Sequence, residues 1–351
     1  MDYNLYFHVP FCAGKCNYCA FYSKPCQNPD WNGYLAGILG EIDYWREKLG
    51  RISIPTIFFG GGTPSMLPAA AVEKIIESVA KSFGITANCE ISLESNPGTM
   101  DKIKLAEFKS IGMNRLSVGV QSLKDEELAF MGRIHNARQA LRLLTDARDL
   151  GLLTCADFIY GLPGQSAADV ERLCGRINEL ELEHCSLYEL SIEPGTPFAK
   201  MNLQMPDNET MAEMYDIIGA ALRLARYEVS NYASPAQECR HNQNIWDGRP
   251  YLGIGDGAAG RVLIDSQWFE TKVQSSKLNI QLLSNKSRAV EMLMTGLRTT
   301  RGVLLTPDIR EIINWDFVRK NKSLFNIMPS LSRLAVNNFL TLDSLLLNLL
   351  K

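Results

Sequence analysis

Three cysteines near the start of the chain are the residues best suited to chemistry. Cys12, Cys16 and Cys19 lie within the stretch YFHVPFCAGKCNYCAFYSK, separated by three and then two residues. Structural zinc sites take four protein ligands, and catalytic zinc usually has histidine or carboxylate among its three. A four-iron cluster usually takes four cysteines. Three cysteines leave one iron open to a small molecule, so this spacing favours a 4Fe-4S cluster with a docking position.

The surroundings and the other thiols fit this interpretation. Phe11, Tyr18 and Phe21 would keep water from the cluster and influence its potential. An odd count of nine cysteines scattered along the chain argues against a disulfide framework. Four of them lie in apolar or amphipathic stretches and are predicted to be small buried core residues: Cys89, Cys155, Cys174 and Cys185.

Short strand-like runs alternate with amphipathic helical stretches, which predicts βα units and a parallel sheet. Six such units do not close an eight-stranded barrel, so the fold class is α/β, a partial (β/α)6 TIM-like barrel with a small, mainly helical C-terminal module. The predicted division is a barrel over 1–235, a Gly-rich loop and β extension over 236–283, and a helical module over 284–351. The strand-like runs are LYFHV, TIFFG, CEISLES, RLSVGV, CADFIYG and HCSLYEL.

Polar clusters follow the first five of these runs. They are the cysteine loop, GGGTPS, ESNPG, GVQS and YGLPGQ. In βα barrels the residues at the C-terminal ends of the strands surround the active site. The five clusters should therefore meet around one mouth.

The order of motifs along the chain resembles a known family. YFHVPFCAGKCNYCAF, FFGGGTPSML, ESNPG, RLSVGVQS, MGRIH, DFIYGLPGQ and HNQNIW occur in this order, over about residues 3–300. C-x3-C-x2-C is the signature of the radical S-adenosylmethionine (SAM) superfamily. The whole set resembles its coproporphyrinogen oxidase-like branch, and within it the HemW-type heme chaperones.

The resemblance implies a 4Fe-4S cluster held by Cys12, Cys16 and Cys19, with Tyr18 beside it, and SAM bound at the open iron. In that superfamily the reduced cluster can pass one electron to the sulfonium of SAM. Carried over one by one, the residues expected to contact SAM are Tyr6, Gly61, Gly62, Thr63, Glu94, Gln121, Arg133 and Asp157.

Two features separate the members of this branch. The oxygen-independent coproporphyrinogen III oxidases carry a further cysteine two residues after the third cluster cysteine, where this chain has Phe21, and a longer segment before the cluster. The resemblance thus favours a heme chaperone that delivers heme to a recipient hemoprotein. The alternative is a radical SAM enzyme acting on a porphyrin, foremost the oxidative decarboxylase of coproporphyrinogen III. Whether the protein is an enzyme stays open at this point.

Heme contact is expected at His241, in the stretch HNQNIW, where Trp246 could pack on a porphyrin face. Ile245 replaces the tyrosine usual in this motif. The stretch YLGIGDGAAG contains variants of the G-x-G-x-x-G spacing, but it lacks the following helix and acidic partner of a dinucleotide-binding fold. We therefore exclude NAD.

The composition of the chain limits the classes of partner that we expect. A net charge of -3 on 351 residues gives no general attraction to nucleic acid or to anionic membranes. No apolar run approaches the roughly 20 residues that span a bilayer, and the first residues lack a signal pattern, so we expect a cytoplasmic protein. The resemblance also implies a reducing electron donor such as a flavodoxin or ferredoxin. A homodimer is a further expectation.

Overall fold

Strands and helices alternate along most of the chain in the computed structural model, which describes residues 1–350. The strands are β1 Asp2–Val9, β2 Phe11–Cys12, β3 Lys24–Pro25, β4 Ser53–Gly61, β5 Gly84–Ser95, β6 Arg115–Gln121, β7 Leu153–Tyr160, β8 His184–Glu189, β9 Ala225–Arg226, β10 Asn231–Ala233, β11 Tyr251–Ile254, β12 Ala259–Ile264, β13 Gln267–Gln274, β14 Lys277–Leu283, β15 Val303–Leu304, β16 Phe325–Met328 and β17 Arg333–Val336. The α-helices are α1 Trp31–Leu49, α2 Ala69–Ser82, α3 Lys102–Ser110, α4 Asp125–Phe130, α5 Ala137–Asp149, α6 Ala167–Glu179, α7 Asn208–Ala221, α8 Arg240–Trp246, α9 Asn285–Gly296, α10 Pro307–Ile312, α11 Trp315–Lys320 and α12 Leu342–Leu349.

The six predicted strands are β1 and β4 to β8. They lie side by side in this order and all pair in parallel. The predicted α/β partial barrel is therefore confirmed. A seventh parallel strand, β11, pairs with the free side of β1, although it lies about 250 residues along the chain. The sequence analysis did not predict that pairing.

Alternate residues of each strand point to the same side of the sheet, and those that point to the outer face are apolar. Leu5 and Phe7 of β1 pack in one hydrophobic cluster with Phe59 of β4 and with Ile42 and Trp45 of α1. The rings of Phe7 and Phe59 are stacked with centroids 5.1 Å apart. Burial of this face against the helices anchors the strands, and it leaves their other side chains pointing into the barrel.

The inner face is polar, and hydrogen bonds satisfy most of its buried groups. The hydroxyl of Thr56 donates to Oδ1 of Asn4 at 2.8 Å. On the far side of the barrel, Nδ1 of His184 lies 2.7 Å from Sγ of Cys155, and its Nε2 lies 2.7 Å from the hydroxyl of Tyr227. Buried polar groups need such partners because each loses its hydrogen bonds to water on folding.

A short helix, α8, closes the barrel near the N-terminal ends of its strands. The buried carboxylate of Glu90 accepts hydrogen bonds from the backbone N–H groups of Arg240 at 3.2 Å and His241 at 2.9 Å. The guanidinium of Arg115 lies 3.8 Å from the same carboxylate. Glu90 therefore caps α8 and balances a buried positive charge at the same time.

The segment after the barrel extends its sheet. Strands β12, β13 and β14 pair antiparallel beyond β11, as the β-like pattern of this stretch predicts. The C-terminal part has its own hydrophobic cluster, formed mainly by α9 to α12. It also contains a three-stranded antiparallel sheet, β15-β17-β16, which the sequence analysis did not predict. Within residues 1–350, none of the helices has both the length and the apolarity to cross a bilayer.

The capping role of Glu90 predicts a large cost for its loss. In Glu90→Ala, Arg115 keeps a buried charge without its partner carboxylate, and two N–H groups of α8 lose their acceptor. The free energy of unfolding should fall by about 3 kcal/mol. Urea unfolding measures this, with Glu73→Ala at an exposed position of α2 as the control. Equal stability of the two variants would contradict the proposed role.

Candidate functional site

A cavity of about 390 Å³ opens at the C-terminal ends of the parallel strands. Four of the five predicted strand-end clusters meet at this mouth, whereas no residue of the fifth, YGLPGQ, lines it. Eleven of the thirteen predicted site residues line it: Cys12, Cys16, Tyr18, Cys19, Gly61, Gly62, Thr63, Glu94, Gln121, Arg133 and Asp157. Tyr6 and His241 do not.

The three thiols lie along one wall of the cavity. Cys12 and Cys16 are buried, whereas Cys19 is half-buried. Burial raises the pKa of the Cys19 thiol. Within residues 1–350, no three side chains of His, Cys, Asp or Glu are close enough together to hold a single metal ion. Thiolates suit an iron–sulfur cluster, in which each cysteine binds a different iron, so the donor set fits that group.

The glycines of GGGTPS, at the end of β4, bring this strand against the cysteine loop. A Cβ atom at Gly62 would lie 2.6 Å from the backbone oxygen of Phe11 and 3.0 Å from Sγ of Cys12. Any other residue here would push the cysteine loop away. Gly62 is therefore needed for the close approach of two backbones, as the GGGTPS motif predicts.

Arg133 connects the cysteine loop to β6. Its Nη1 lies 3.4 Å from Sγ of Cys16 and 3.4 Å from the hydroxyl of Tyr18, while Nη2 donates to the backbone oxygen of Gly119 at 2.9 Å. The guanidinium therefore places a permanent positive charge beside the sulfur of Cys16. The Nε of Arg133 is buried and has no hydrogen-bond partner among residues 1–350. The guanidinium therefore keeps a donor available for an anionic ligand group.

Two carboxylates line the inner part of the cavity. Glu94 accepts a hydrogen bond from the N–H of Gly61 at 3.1 Å, and Asp157 accepts one from the hydroxyl of Ser117 at 2.6 Å. Burial, followed by the repulsion from Asp157, raises the pKa of Glu94 to about 8. Burial also raises the pKa of Asp157. Such perturbed groups in a cleft are typical of binding sites.

Gln121 lies at the end of β6 with a φ of 66°. This left-handed conformation is uncommon for a residue other than glycine. Strained backbone of this kind clusters at ligand-binding sites, where the surrounding structure holds it in place. Gln121 is thus turned into the cavity by the strand end itself.

The two remaining predicted residues lie deeper in the barrel. The hydroxyl of Tyr6 is 3.0 Å from Nδ1 of His8. His241 is only 2% exposed. Its Nδ1 lies 2.8 Å from Oγ1 of Thr56, and its ring stacks on Phe58 with centroids 5.0 Å apart. The predicted Gly-rich loop and β extension over 236–283 includes HNQNIW, but this stretch forms the helix α8, which hydrogen bonds to Glu90 and Thr56 hold against the barrel.

The sequence analysis missed one wall of the cavity. Tyr188, Glu189 and Glu193 line it, from the end of β8 onward. The signal was present, since YELSIEPG follows the sixth strand-like run just as the other clusters follow the first five. Applying the strand-end rule to the sixth strand would have found these residues.

The raised pKa of Glu94 predicts a dependence of stability on pH. A carboxyl with a folded-state pKa near 8 and an unfolded one near 4.5 stabilises the fold at low pH. This contribution is lost as the pH rises toward 8 and above. Wild type should therefore lose stability between about pH 4.5 and pH 8, the interval between the two pKa values.

Glu94→Gln should flatten that decline because an amide does not titrate. Urea unfolding at intervals across this pH range measures the effect, with the exposed Glu73→Gln as the control. A variant with the same pH profile as wild type would contradict the shifted pKa.

Comparisons with known proteins agree with this geometry. Residues 6–177 match the family model of the Radical SAM superfamily. The chain is 36% identical over 264 residues to the heme chaperone HemW of Escherichia coli, an alignment that covers 74% of this chain and 70% of that protein. It is also 36% identical over 324 residues to the heme chaperone HemW of Synechocystis, covering 85% of this chain and 78% of that protein.

A solved structure shares the fold. Coproporphyrinogen III oxidase HemN from Escherichia coli, a radical SAM enzyme, matches with a TM-score of 0.80 and 20% identity. The match covers 98% of this chain and 89% of that one. The identity to the two chaperones shows that the chain belongs to the HemW family within the radical SAM superfamily.

Proposed function

We propose that this protein is a heme chaperone that binds a 4Fe-4S cluster, SAM and heme and delivers heme to a target hemoprotein. The observation that carries the proposal is the similarity to HemW over most of the chain, combined with Phe21. This residue stands where the oxidases have a further cysteine, and it is 71% exposed at the edge of the cavity.

The cysteine wall supports the cluster assignment. Cys12, Cys16 and Cys19 would bind three of the four irons, and the fourth iron would face the cavity. Arg133 beside Cys16 offsets part of the negative charge of the thiolates. When bound, the cluster supplies one electron at low potential.

The polar ring around the cavity supports SAM as the second ligand. The guanidinium of Arg133 can pair with the carboxylate of SAM, and Glu94 can accept hydrogen bonds from its amino group or ribose hydroxyls. Gly61, Gly62 and Thr63 border the same space, with Gln121 and Asp157 opposite. Tyr6 does not border this space, but its hydroxyl contacts His8, and the ring of His8 lies against Gly61.

The cavity offers few cations to the several anionic propionates of coproporphyrinogen III, which argues against the oxidase alternative. Its cations are Lys15 and Arg133, and Arg133 already lies against Cys16. Glu193 on the wall that follows β8 would repel a propionate. Heme also carries propionates, so the same argument supports a heme site outside this cavity.

His241 remains the proposed heme ligand although its side chain is buried. All four histidines are buried: His8, His135, His184 and His241. Nε2 of His241 has no hydrogen-bond partner among residues 1–350, which leaves this atom free to bind iron. Heme binding there requires α8 to move away from Glu90 and Thr56.

The proposal has further parts. The resemblance suggests a flavodoxin or ferredoxin as electron donor, and the sequence pattern suggests the division at residues 235 and 283. A cytoplasmic location and a homodimer complete the proposal. No decarboxylase activity is assigned to the protein.

The cluster assignment predicts the outcome of anaerobic reconstitution. The wild type should take up about four irons per chain. Cys16→Ala should abolish this uptake, whereas Cys174→Ala should preserve it, because Cys174 is a buried core residue of α6 outside the cavity. Iron and sulfide analysis with absorption spectroscopy gives the answer. Full cluster content in a variant lacking all three cavity thiols would rule the assignment out.

The chaperone assignment predicts heme binding without turnover of porphyrinogen. Purified protein should bind heme, and His241→Ala should weaken binding or remove the absorption pattern of an imidazole ligand. His184→Ala is the matched control, since both rings are 2% exposed inside the barrel. Coproporphyrinogen III should stay intact when incubated anaerobically with the cluster-loaded protein, SAM and a reductant. Steady formation of protoporphyrinogen would favour the oxidase instead.

A further inference from the structure

The turn between β11 and β12 makes direct contact with the end of the cysteine loop. Asp256 lies in this turn, and its Oδ2 accepts a hydrogen bond from the hydroxyl of Tyr22 at 2.8 Å. The same oxygen accepts one from Nζ of Lys24 at 2.9 Å. The carboxylate side chain is 13% exposed, whereas that of Lys24 is 56% exposed. One sheltered carboxylate therefore binds two residues of the segment that follows Cys19.

The same segment is held from the other side by β1. Nε2 of the buried His8 lies 2.9 Å from the backbone oxygen of Tyr22. Because a carbonyl oxygen can only accept, Nε2 carries the ring proton, and Nδ1 accepts from the hydroxyl of Tyr6. Tyr22 is thus fixed through its backbone by His8 and through its side chain by Asp256.

Glycine is required where the turn meets these two residues. Gly257 has a φ of 102°, and a Cβ atom there would clash with Cδ1 of Tyr22 and lie 2.9 Å from Nε2 of His8. The glycines of YLGIGDGAAG therefore serve the approach of a turn to the cysteine loop. This gives a physical role to a stretch whose spacing superficially suggested a dinucleotide.

The cysteines differ in how firmly their backbone is held. The N–H of Cys26 donates to the backbone oxygen of Cys12 at 2.9 Å, and β2 pairs with β3 around it. Asn17, next to Cys16, donates its N–H to the backbone oxygen of Met131 at 2.9 Å. The backbone N–H of Cys19 donates within the loop itself, to the oxygen of Cys16 at 3.2 Å. Cys19 is more exposed than the other two and leads into the exposed Phe21. The next firm attachment along the chain is Tyr22.

We propose that Asp256 and Tyr22 are positioning residues that fix the chain after Cys19, so that this thiol keeps its place at the cluster. The proposal rests on the assignment of Cys12, Cys16 and Cys19 as cluster ligands. Ligands held by a rigid surrounding shell bind their metal more tightly than ligands on a free loop. The attachment also ties the cluster to the extension β12 to β14, since the N–H of Gly257 donates to the backbone oxygen of Val273 at 2.9 Å.

The experiment compares variants of the full chain after anaerobic reconstitution. Asp256→Ala and Tyr22→Phe each remove the contact, and Tyr22→Phe does so by deleting a single hydroxyl from a side chain that is 39% exposed. Their clusters should be lost to an iron chelator about tenfold faster than that of wild type. The change that SAM causes in the electron paramagnetic resonance spectrum of the reduced cluster should also be smaller. Asp256→Asn keeps an acceptor for Tyr22 and should restore most of the retention.

Asp43→Ala and Tyr44→Phe on α1 are the matched controls, and both should behave as wild type. Wild-type rates of cluster loss in both Asp256→Ala and Tyr22→Phe would overturn the positioning role. So would a lower melting temperature of Tyr22→Phe without faster cluster loss, because the contact would then serve the fold alone. A wild-type protein that takes up no cluster would instead overturn the function proposed above, which separates the two failures.

Discussion

The inside of the barrel sets the constraint on which the rest of the structure depends. Alternate residues of each parallel strand face away from the helices, and many of them are polar and buried. Each such group must find a partner within the protein, since it is out of reach of water. Glu90 meets this need for Arg115 and for the first turn of α8 at once. One end of the barrel is thereby closed by hydrogen bonds, whereas the other end stays open as the cavity.

The open end combines groups that are costly to bury unless a ligand compensates them. Burial and the proximity of Asp157 raise the pKa of Glu94 to about 8, and the Nε of Arg133 has no partner among residues 1–350. A ligand with an anionic group and hydrogen-bond donors would satisfy both. The amino acid part of SAM has these properties, and its amino and carboxylate groups are also those that an open iron would bind.

The position of the cysteine loop depends on parts of the chain that are far apart in sequence. Gly62 allows β4 to approach Cys12, Arg133 lies against Cys16, and Asp256 holds Tyr22. A cluster needs its ligands in a fixed arrangement, which a loop of this length cannot keep by itself. His241 lies within α8 itself and is buried there. Heme binding at this residue, as proposed above, would require the hydrogen bonds that close the barrel to break.

The amino-acid sequence by itself determined the βα alternation, the six parallel strands and most of the cavity. Strand and helix periodicities are local, and residues after parallel strands must gather at one edge, so Glu94 and Gln121 could be placed without a structure. Asp157 lies inside the β7 run, and only the family resemblance indicated its role. Only the tertiary structure decided the pairing of β11 with β1, the burial of His241 and the contact of Asp256 with Tyr22. His241 contacts Thr56, which lies 185 positions away in the sequence, and Asp256 contacts Tyr22, which lies 234 positions away. No local pattern encodes which distant segments meet, because that choice follows from how the whole set of apolar and polar surfaces is buried together.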